Sequence, residues 1–299
     1  MSGFLDRLPK HVTIVEVGPR DGLQNESRQV PTGVKIDFIN ALTRAGLPVI
    51  EASSFVNPKA IPQLADAEEV MTQIDRPPRR RYPVLVPNER GLDRALGADC
   101  DSFALFTAAS EQFSQANVRA SIDETFVRFK PVAERVRETQ GWLRGYVSTA
   151  IDCPYSGHIE PDAAIDVANR LFDLGCDEVS LADTIGTGTP GDVARLLDAA
   201  RKRLDDERFG RLALHFHDTH GMALANVLVG LDYGVSVFDS SAGGLGGCPF
   251  APGAPGNLAT EKLVRMLDGL GIETGVSLSG VEEAVTNLRR AVPGIGQRG

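Results

Sequence analysis

The sequence is poor in cysteine. Its four cysteines, Cys100, Cys153, Cys176 and Cys248, lie far apart and form no CxxC pair. That spacing excludes a zinc ribbon and a disulfide framework, and leaves reduced thiols as the expectation. No cluster of about five or six Lys or Arg occurs, and block charge of that kind is what marks nucleic-acid or membrane contacts. The formal charge of −9 and a pI near 5.1 speak against the same partners, so an anionic small substrate needs positive charge placed locally. No run approaches the roughly 18 apolar residues of a spanning helix. The opening MSGFLDRLPKHVTIVEVG has neither a signal-peptide core nor an Arg/Ser-rich transit pattern. A soluble cytoplasmic protein is expected.

What the chain does have is a repeated grammar. A helical pattern ends at glycine and an apolar strand follows within a few residues, in AGLPVIEASS, LGADCDSFALF, LGCDEVSLAD and YGVSVFDSS. Glycine suits the left-handed position that closes a helix. The spacing predicts strands near 12–17, 48–54, 82–87, 101–107, 143–150, 178–183, 212–217 and 235–240. Helices are predicted near 33–45, 60–74, 88–97, 121–139, 161–174, 190–204, 221–232 and 257–269, with a further one near 279–291. Strand and helix alternate eight times without an interdomain linker, and 299 residues with 42% hydrophobic content suffice for one large core. The expectation is an α/β protein, a single (β/α)8 TIM barrel over 1–299 with a C-terminal helical extension. The stretch GGLGGCPFAPGAPGN over 243–257 is too rich in Gly and Pro for helix or strand, and reads as a mobile active-site loop.

A barrel of this kind carries its chemistry where the strands end. Strand 1 ends in Glu16 and runs into Arg20 and Asp21, strand 2 carries Glu51, strand 6 ends at Asp183, strand 7 at His215-Phe216-His217-Asp218, and strand 8 leads to Cys248. His215 and His217, one residue apart on a strand, share a face about 7 Å apart. One metal ion can bridge them. Asp21 offers a carboxylate and Asn257 an amide oxygen, although Asn immediately before a helix is equally an N-cap. A mixed oxygen and nitrogen set favours Mg2+ or Mn2+ over tetrahedral zinc. Arg20 needs a partner or an anionic ligand, with Glu51 or Asp183 as the ion-pair alternative. Glu16 and Glu51 read as carboxylates that hold that guanidinium, and Glu261 as an acid in a helix first turn.

The stretches GPRDGLQNE, SLADTIGTGTP, HFHDTHGMALAN and GGLGGCPFAPGAPGN, in this order, resemble the 3-hydroxy-3-methylglutaryl-CoA lyase family of the wider DRE-TIM metallolyase group, over about residues 11–275. The resemblance implies a TIM barrel that cleaves its acyl-CoA substrate to acetyl-CoA and acetoacetate with Mg2+ or Mn2+. It implies metal ligands at Asp21, His215, His217 and Asn257, and an enolate-stabilising Arg20. Glu51 and Asp183 match supporting acids, and Cys248 the loop cysteine. Gln24, Phe55 and Tyr146 match positions that line the acyl pocket. His215 is then the candidate for taking the hydroxyl proton, with Asp21 as the other. The expected partners are an acyl-CoA and a second copy of the chain in a homodimer. Pro252, Pro255 and Lys262 depart from the family pattern, Lys262 standing where an acid is common. Alternatives are a lyase for a bulkier isoprenoid 3-hydroxyglutaryl-CoA, a related Claisen-type synthase, or a CoA-binding scaffold without activity.

Overall fold

The computed structural model describes residues 3–247 and 256–296. Of the loop at 243–257, residues 248–255, with Cys248, Pro252 and Pro255, lie outside the described residues.

Among the described residues, the large sheet consists of eight strands in chain order. They are β1 (Thr13–Glu16), β2 in two pieces (Val49–Ile50 and Ser53–Ser54), β3 (Val84–Leu85), β4 (Ser102–Ala108), β5 (Trp142–Ser148), β6 (Glu178–Asp183), β7 (Leu212–Phe216) and β8 (Val237–Ser240). Every pairing between them is parallel. The first piece of β2 pairs with β1 and the second with β3. Between the pieces, the Glu51 N–H donates to Glu16 O at 2.8 Å on one side and the Ala52 N–H to Pro83 O at 3.0 Å on the other. The sheet therefore closes on itself through β2, as the sequence pattern anticipates.

The helices form as the chain's own signals direct. Gly175 takes φ 106° at the end of Pro161–Leu174, the left-handed cap that glycine adopts without a Cβ clash. Ser121 with Glu124 and Thr189 with Asp192 form reciprocal capping boxes at the starts of Ile122–Glu138 and Pro190–Arg203, satisfying N–H groups that a helix cannot pair internally. The C-terminal helix Leu278–Ala291 packs on Thr32–Arg44. Three differences from the pattern stand out. The helix expected over 60–74 begins only at Ala67, after a 3-10 turn at Pro62–Leu64. Short helices at Glu111–Val118 and Asp206–Phe209 were not anticipated, because each is too brief to show a period. The helix expected from 257 starts at Thr260 with Ala259 as its cap, so Asn257 is no N-cap. No helix of the described residues is long and apolar enough to cross a membrane.

Alternation along each strand sorts side chains between two environments. Ile14, Ile50, Leu143, Leu181, Leu214 and Phe238 face outward into the main apolar core, while Val15, Val17, Val49 and Val237 form a small cluster of their own. The same parity turns Glu51, Arg144, Tyr146, His215 and Asp239 into the barrel, all of them buried. It turns Glu16 and Asp183 out.

Candidate active site

The segment GPRDG after β1 is wound as a single π-helical turn over Gly18–Gly22, with the Asp21 and Gly22 N–H groups donating to Val17 O at 2.8 and 3.1 Å. Its glycines are steric necessities: a Cβ at Gly18 would lie 2.6 Å from Glu16 Oε1, and one at Gly22 2.9 Å from Leu245 Cβ. The turn sets Arg20 and Asp21 on the rim of a cavity of about 150 Å3, bordered also by Gln24, Phe106, Asn117, Tyr146, His215 and His217.

The metal-ligating types converge there. One donor atom each from Asp21, His215 and His217 lies within 4.8 Å of the others, and the two imidazole centroids are 5.3 Å apart. His217 and Asn257 form an antiparallel bridge that holds Asn257 beside them. The Asn257 amide nitrogen donates to Asp21 Oδ2 at 2.8 Å and Leu245 O at 3.1 Å, while its buried Oδ1 has no hydrogen-bond partner among the described residues. A buried acceptor left without a donor is costly, and a cation answers that cost. Carboxylate, amide oxygen and two imidazoles are a donor set that fits a divalent metal ion.

Around these donors runs a buried charge network. Arg20 Nε donates to Glu51 Oε2 at 2.8 Å, NH2 approaches the same oxygen at 2.8 Å, and NH1 reaches Asp21 Oδ1 at 3.0 Å. Burial opposes ionisation of Asp21, but Arg20 and the two imidazoles outweigh it and hold the carboxyl below the usual range. His215 Nδ1 meets Asp239 Oδ2 at 3.1 Å. Burial likewise opposes charge on Asp239, and Arg144 and His215 overcome it, holding that carboxyl at about 2. A carboxylate only accepts, so Nδ1 carries the proton and Nε2 keeps its lone pair for the cavity.

Some expected residues sit elsewhere. Glu16 does not touch Arg20. It points out of the barrel, where Oε1 accepts the Gly18 and Ala242 N–H groups, each at 2.8 Å, and Oε2 the Thr260 hydroxyl at 2.6 Å. Asp183 is also outside the cavity, accepting the Gly188 N–H at 3.0 Å, and burial pushes it up to about 6. Arg20 therefore pairs with Glu51 and not Asp183. Gln24 and Tyr146 border the cavity but Phe55 does not; its ring lies under Arg94 and lines a separate pocket between the loops after β2 and β3. Glu261 does more than start a helix, since both its oxygens accept the Gly243 N–H at 3.0 Å. Lys262 pairs with Asp218 at 2.9 Å. Arg144 and Asp239 were missed, although a lone charge inside an otherwise apolar strand is a readable signal.

The Glu16 clamp carries a prediction. Burial raises its carboxyl to about 7, so the folded state binds this proton more tightly than the unfolded chain does. Stability from this group is complete below the usual carboxylate range and declines as pH rises through about 7. A glutamine would keep both N–H contacts through Oε1 and donate its amide to Thr260, which can pass its own proton to Ser240 Oγ at 2.8 Å. Melting temperatures from pH 5 to 8 should then fall less for Glu16→Gln than for the natural chain. An equal or steeper fall would refute the neutral clamp.

The comparisons with known proteins agree with this geometry. The HMGL-like family matches residues 11–288. The chain is 54% identical over 277 residues to hydroxymethylglutaryl-CoA lyase, mitochondrial, of Rattus norvegicus, covering 93% of this chain and 84% of that protein. Its fold is similar to the crystal structure of hydroxymethylglutaryl-CoA lyase from Pseudomonas aeruginosa, with a TM-score of 0.93, 46% identity and coverage of 96% and 95% of the two chains. It is also similar to an HMG-CoA lyase from Acinetobacter baumannii in complex with coenzyme A and 3-methylmalate, with a TM-score of 0.88, 39% identity and coverage of 97% and 93%. With a closed parallel barrel, this donor set at its mouth, the family matching residues 11–288 and a relative 54% identical over 84% of its length, the chain belongs to the HMGL-like family.

Proposed function

We propose that this chain cleaves 3-hydroxy-3-methylglutaryl-CoA to acetyl-CoA and acetoacetate by a retro-Claisen reaction that depends on Mg2+ or Mn2+. The observation that carries the reading is the convergence of Asp21, His215 and His217 on one cavity rim beside the buried Arg20, with Asn257, whose Oδ1 has no partner among the described residues, bridged to His217 and Asp21. Asp21, His215, His217 and Asn257 would hold the cation. When bound, it supplies Lewis-acid polarisation of a tertiary hydroxyl and so makes that proton removable near neutral pH.

The protein's own groups divide the remaining work. With Nδ1 committed to Asp239, His215 has one lone pair left, on Nε2, and cannot both hold a cation and take a proton. Counting it as a ligand assigns the hydroxyl proton to Asp21, and Arg20 keeps that carboxylate ionised. Arg20 faces the negative charge that develops on the thioester oxygen as the C2–C3 bond breaks, and Glu51 fixes the guanidinium in place. Cys248, outside the described residues, is assigned proton delivery to the enolate carbon on the sequence resemblance. The cytoplasmic setting and the homodimer remain parts of the same reading.

A second reading, a longer substituent at C3, is favoured by one observation. An apolar cavity of about 210 Å3, bordered by Val56, Ile61, Leu85, Val118 and Phe129, shares Arg20, Gln24, Phe106 and Asn117 with the first. One experiment addresses both. Purified protein with Mg2+ is given a homologous series of 3-hydroxyglutaryl-CoA thioesters, from methyl to a longer alkyl at C3, and acetyl-CoA and the keto acid are quantified. Turnover of the methyl compound with both products in equal amount is expected. Absence of cleavage for every member would overturn the proposal, and cleavage of the longer compound alone would select the second reading.

A further inference from the structure

Arg144 is the largest fully buried side chain of the barrel, and the chemistry above leaves it idle. Each of its nitrogens is engaged. Nε donates to Glu178 Oε1 at 2.7 Å, NH2 to Asp239 Oδ1 at 2.6 Å, and NH1 to the Tyr146 hydroxyl oxygen at 2.6 Å and to Asp239 Oδ2 at 3.2 Å. It does not border the cavity, but two of the groups it reaches lead there. Tyr146 borders it directly, and Asp239 borders it through His215.

The direction of these bonds decides what they do. A guanidinium only donates, so the Tyr146 oxygen must accept from it, which frees the phenol proton to point elsewhere. No second partner for that hydroxyl occurs among the described residues. The Asp239 carboxylate, oriented by two nitrogens of the same fork and by Ser180 Oγ at 3.1 Å, fixes the proton of His215 on Nδ1. We infer that Arg144 is a positioning residue that sets two groups from one buried fork, the His215 ring as a cation ligand and the Tyr146 hydroxyl as a donor to a carbonyl or carboxylate oxygen of the acyl substrate. The inference rests on the lyase reading for its substrate half. Lysine keeps the charge but is a single point donor without the planar fork, and cannot serve Asp239, Glu178 and Tyr146 together in this geometry.

The test combines Arg144→Lys, Asp239→Asn and Tyr146→Phe, with Mn2+ binding read by electron paramagnetic resonance of the free ion and kcat and KM read separately. Arg144→Lys and Asp239→Asn should each weaken Mn2+ by about tenfold or more, the usual cost of losing a group that orients a ligating histidine. Tyr146→Phe should leave Mn2+ affinity unchanged and lower kcat/KM by about five- to tenfold, the size of one hydrogen bond. In the Arg144→Lys background the Tyr146→Phe loss should disappear, whereas in Asp239→Asn it should persist. Circular dichroism establishes that each variant is folded, and should Arg144→Lys not fold, the Mn2+ affinity of Asp239→Asn still decides the His215 half. Natural Mn2+ affinity in folded Arg144→Lys or in Asp239→Asn would overturn the inference, as would an undiminished Tyr146→Phe loss in Arg144→Lys. A natural chain that binds Mn2+ but cleaves no 3-hydroxyglutaryl-CoA would instead sink the lyase reading.

Discussion

Dialysis against a strong chelator will abolish turnover, and Mg2+ or Mn2+ will restore it. The expected loss is about 10³-fold or more, because Lewis-acid activation accounts for several kcal/mol of charge stabilisation and each 1.4 kcal/mol is about tenfold. Among the described residues the charged or ionisable groups nearest the donor set are a carboxylate, two imidazoles and a guanidinium already paired with Glu51, and the amides, hydroxyls and rings that complete the rim are no Lewis acids. Zn2+ should restore activity poorly, since the amide and carboxylate oxygens suit a harder ion of higher coordination number. His217→Ala removes one donor while leaving the Asp239–His215 contact intact, so it should lower metal content and rate together. Metal analysis beside the activity assay makes the result decisive. Full turnover in a sample shown to be metal-free would remove the cation from the reaction, and His217→Ala with both metal and rate unchanged would remove His217 from the site.

The second large effect is expected at Arg20. Arg20→Gln should lower kcat by about 10²- to 10³-fold, the range found when a donor to a developing oxyanion is removed, and should change KM far less, since that charge appears only as the bond breaks. A complication comes from its partner. Glu51 is fully buried, and removing one member of a buried ion pair strands the other at a cost of about 3–5 kcal/mol. The double variant Arg20→Gln/Glu51→Gln separates the two consequences. It should recover much of the lost thermal stability, because the Glu51 charge is no longer stranded, yet none of the lost kcat. Recovery of kcat along with stability would mean that Arg20 serves the fold and not the reaction. A raised KM with kcat intact would make it an anchor for bound substrate.

Most of the barrel was legible because its strands and helices obey short-range rules. LGCDEVSLAD shows this: glycine at 175 takes the positive φ that ends a helix, and β6 begins three residues later. The pairing of His215 with His217 was legible for the same reason, since the two differ by one period of a strand and so share a face. Facing was harder to read. Glu16 and Asp183 end strands at the mouth, but each shares parity with outward apolar neighbours, Ile14 and Leu181, and so each braces backbone outside the barrel. Alternation alone would have assigned both correctly. Arg144 and Asp239 each show as a lone charge in an apolar strand, but their pairing stayed hidden because the two lie 95 residues apart in the chain, and no local pattern records a contact made only when the barrel closes. Phe55 was placed by resemblance alone, and no parity could have checked that placement, because β2 is interrupted around Glu51 and Ala52.

The bridge between His217 and Asn257 and the bond from Asn257 to Asp21 span 236 residues of chain. The four donors therefore exist as a set only after the first and last strands have met, and an unfolded chain offers them singly. A cation that binds the native state alone stabilises it by RT ln(1 + [L]/Kd), about 2.7 kcal/mol at a hundredfold excess over Kd. Mn2+ uptake along a denaturant titration thus measures how many molecules have their ring joined, whereas helix content by circular dichroism reports local order that needs no joined ring. If the helices on the open arc stay folded while β1 and β8 part, uptake will be lost at lower denaturant than ellipticity, and the interval between the two curves gives the free energy of opening the barrel at its seam.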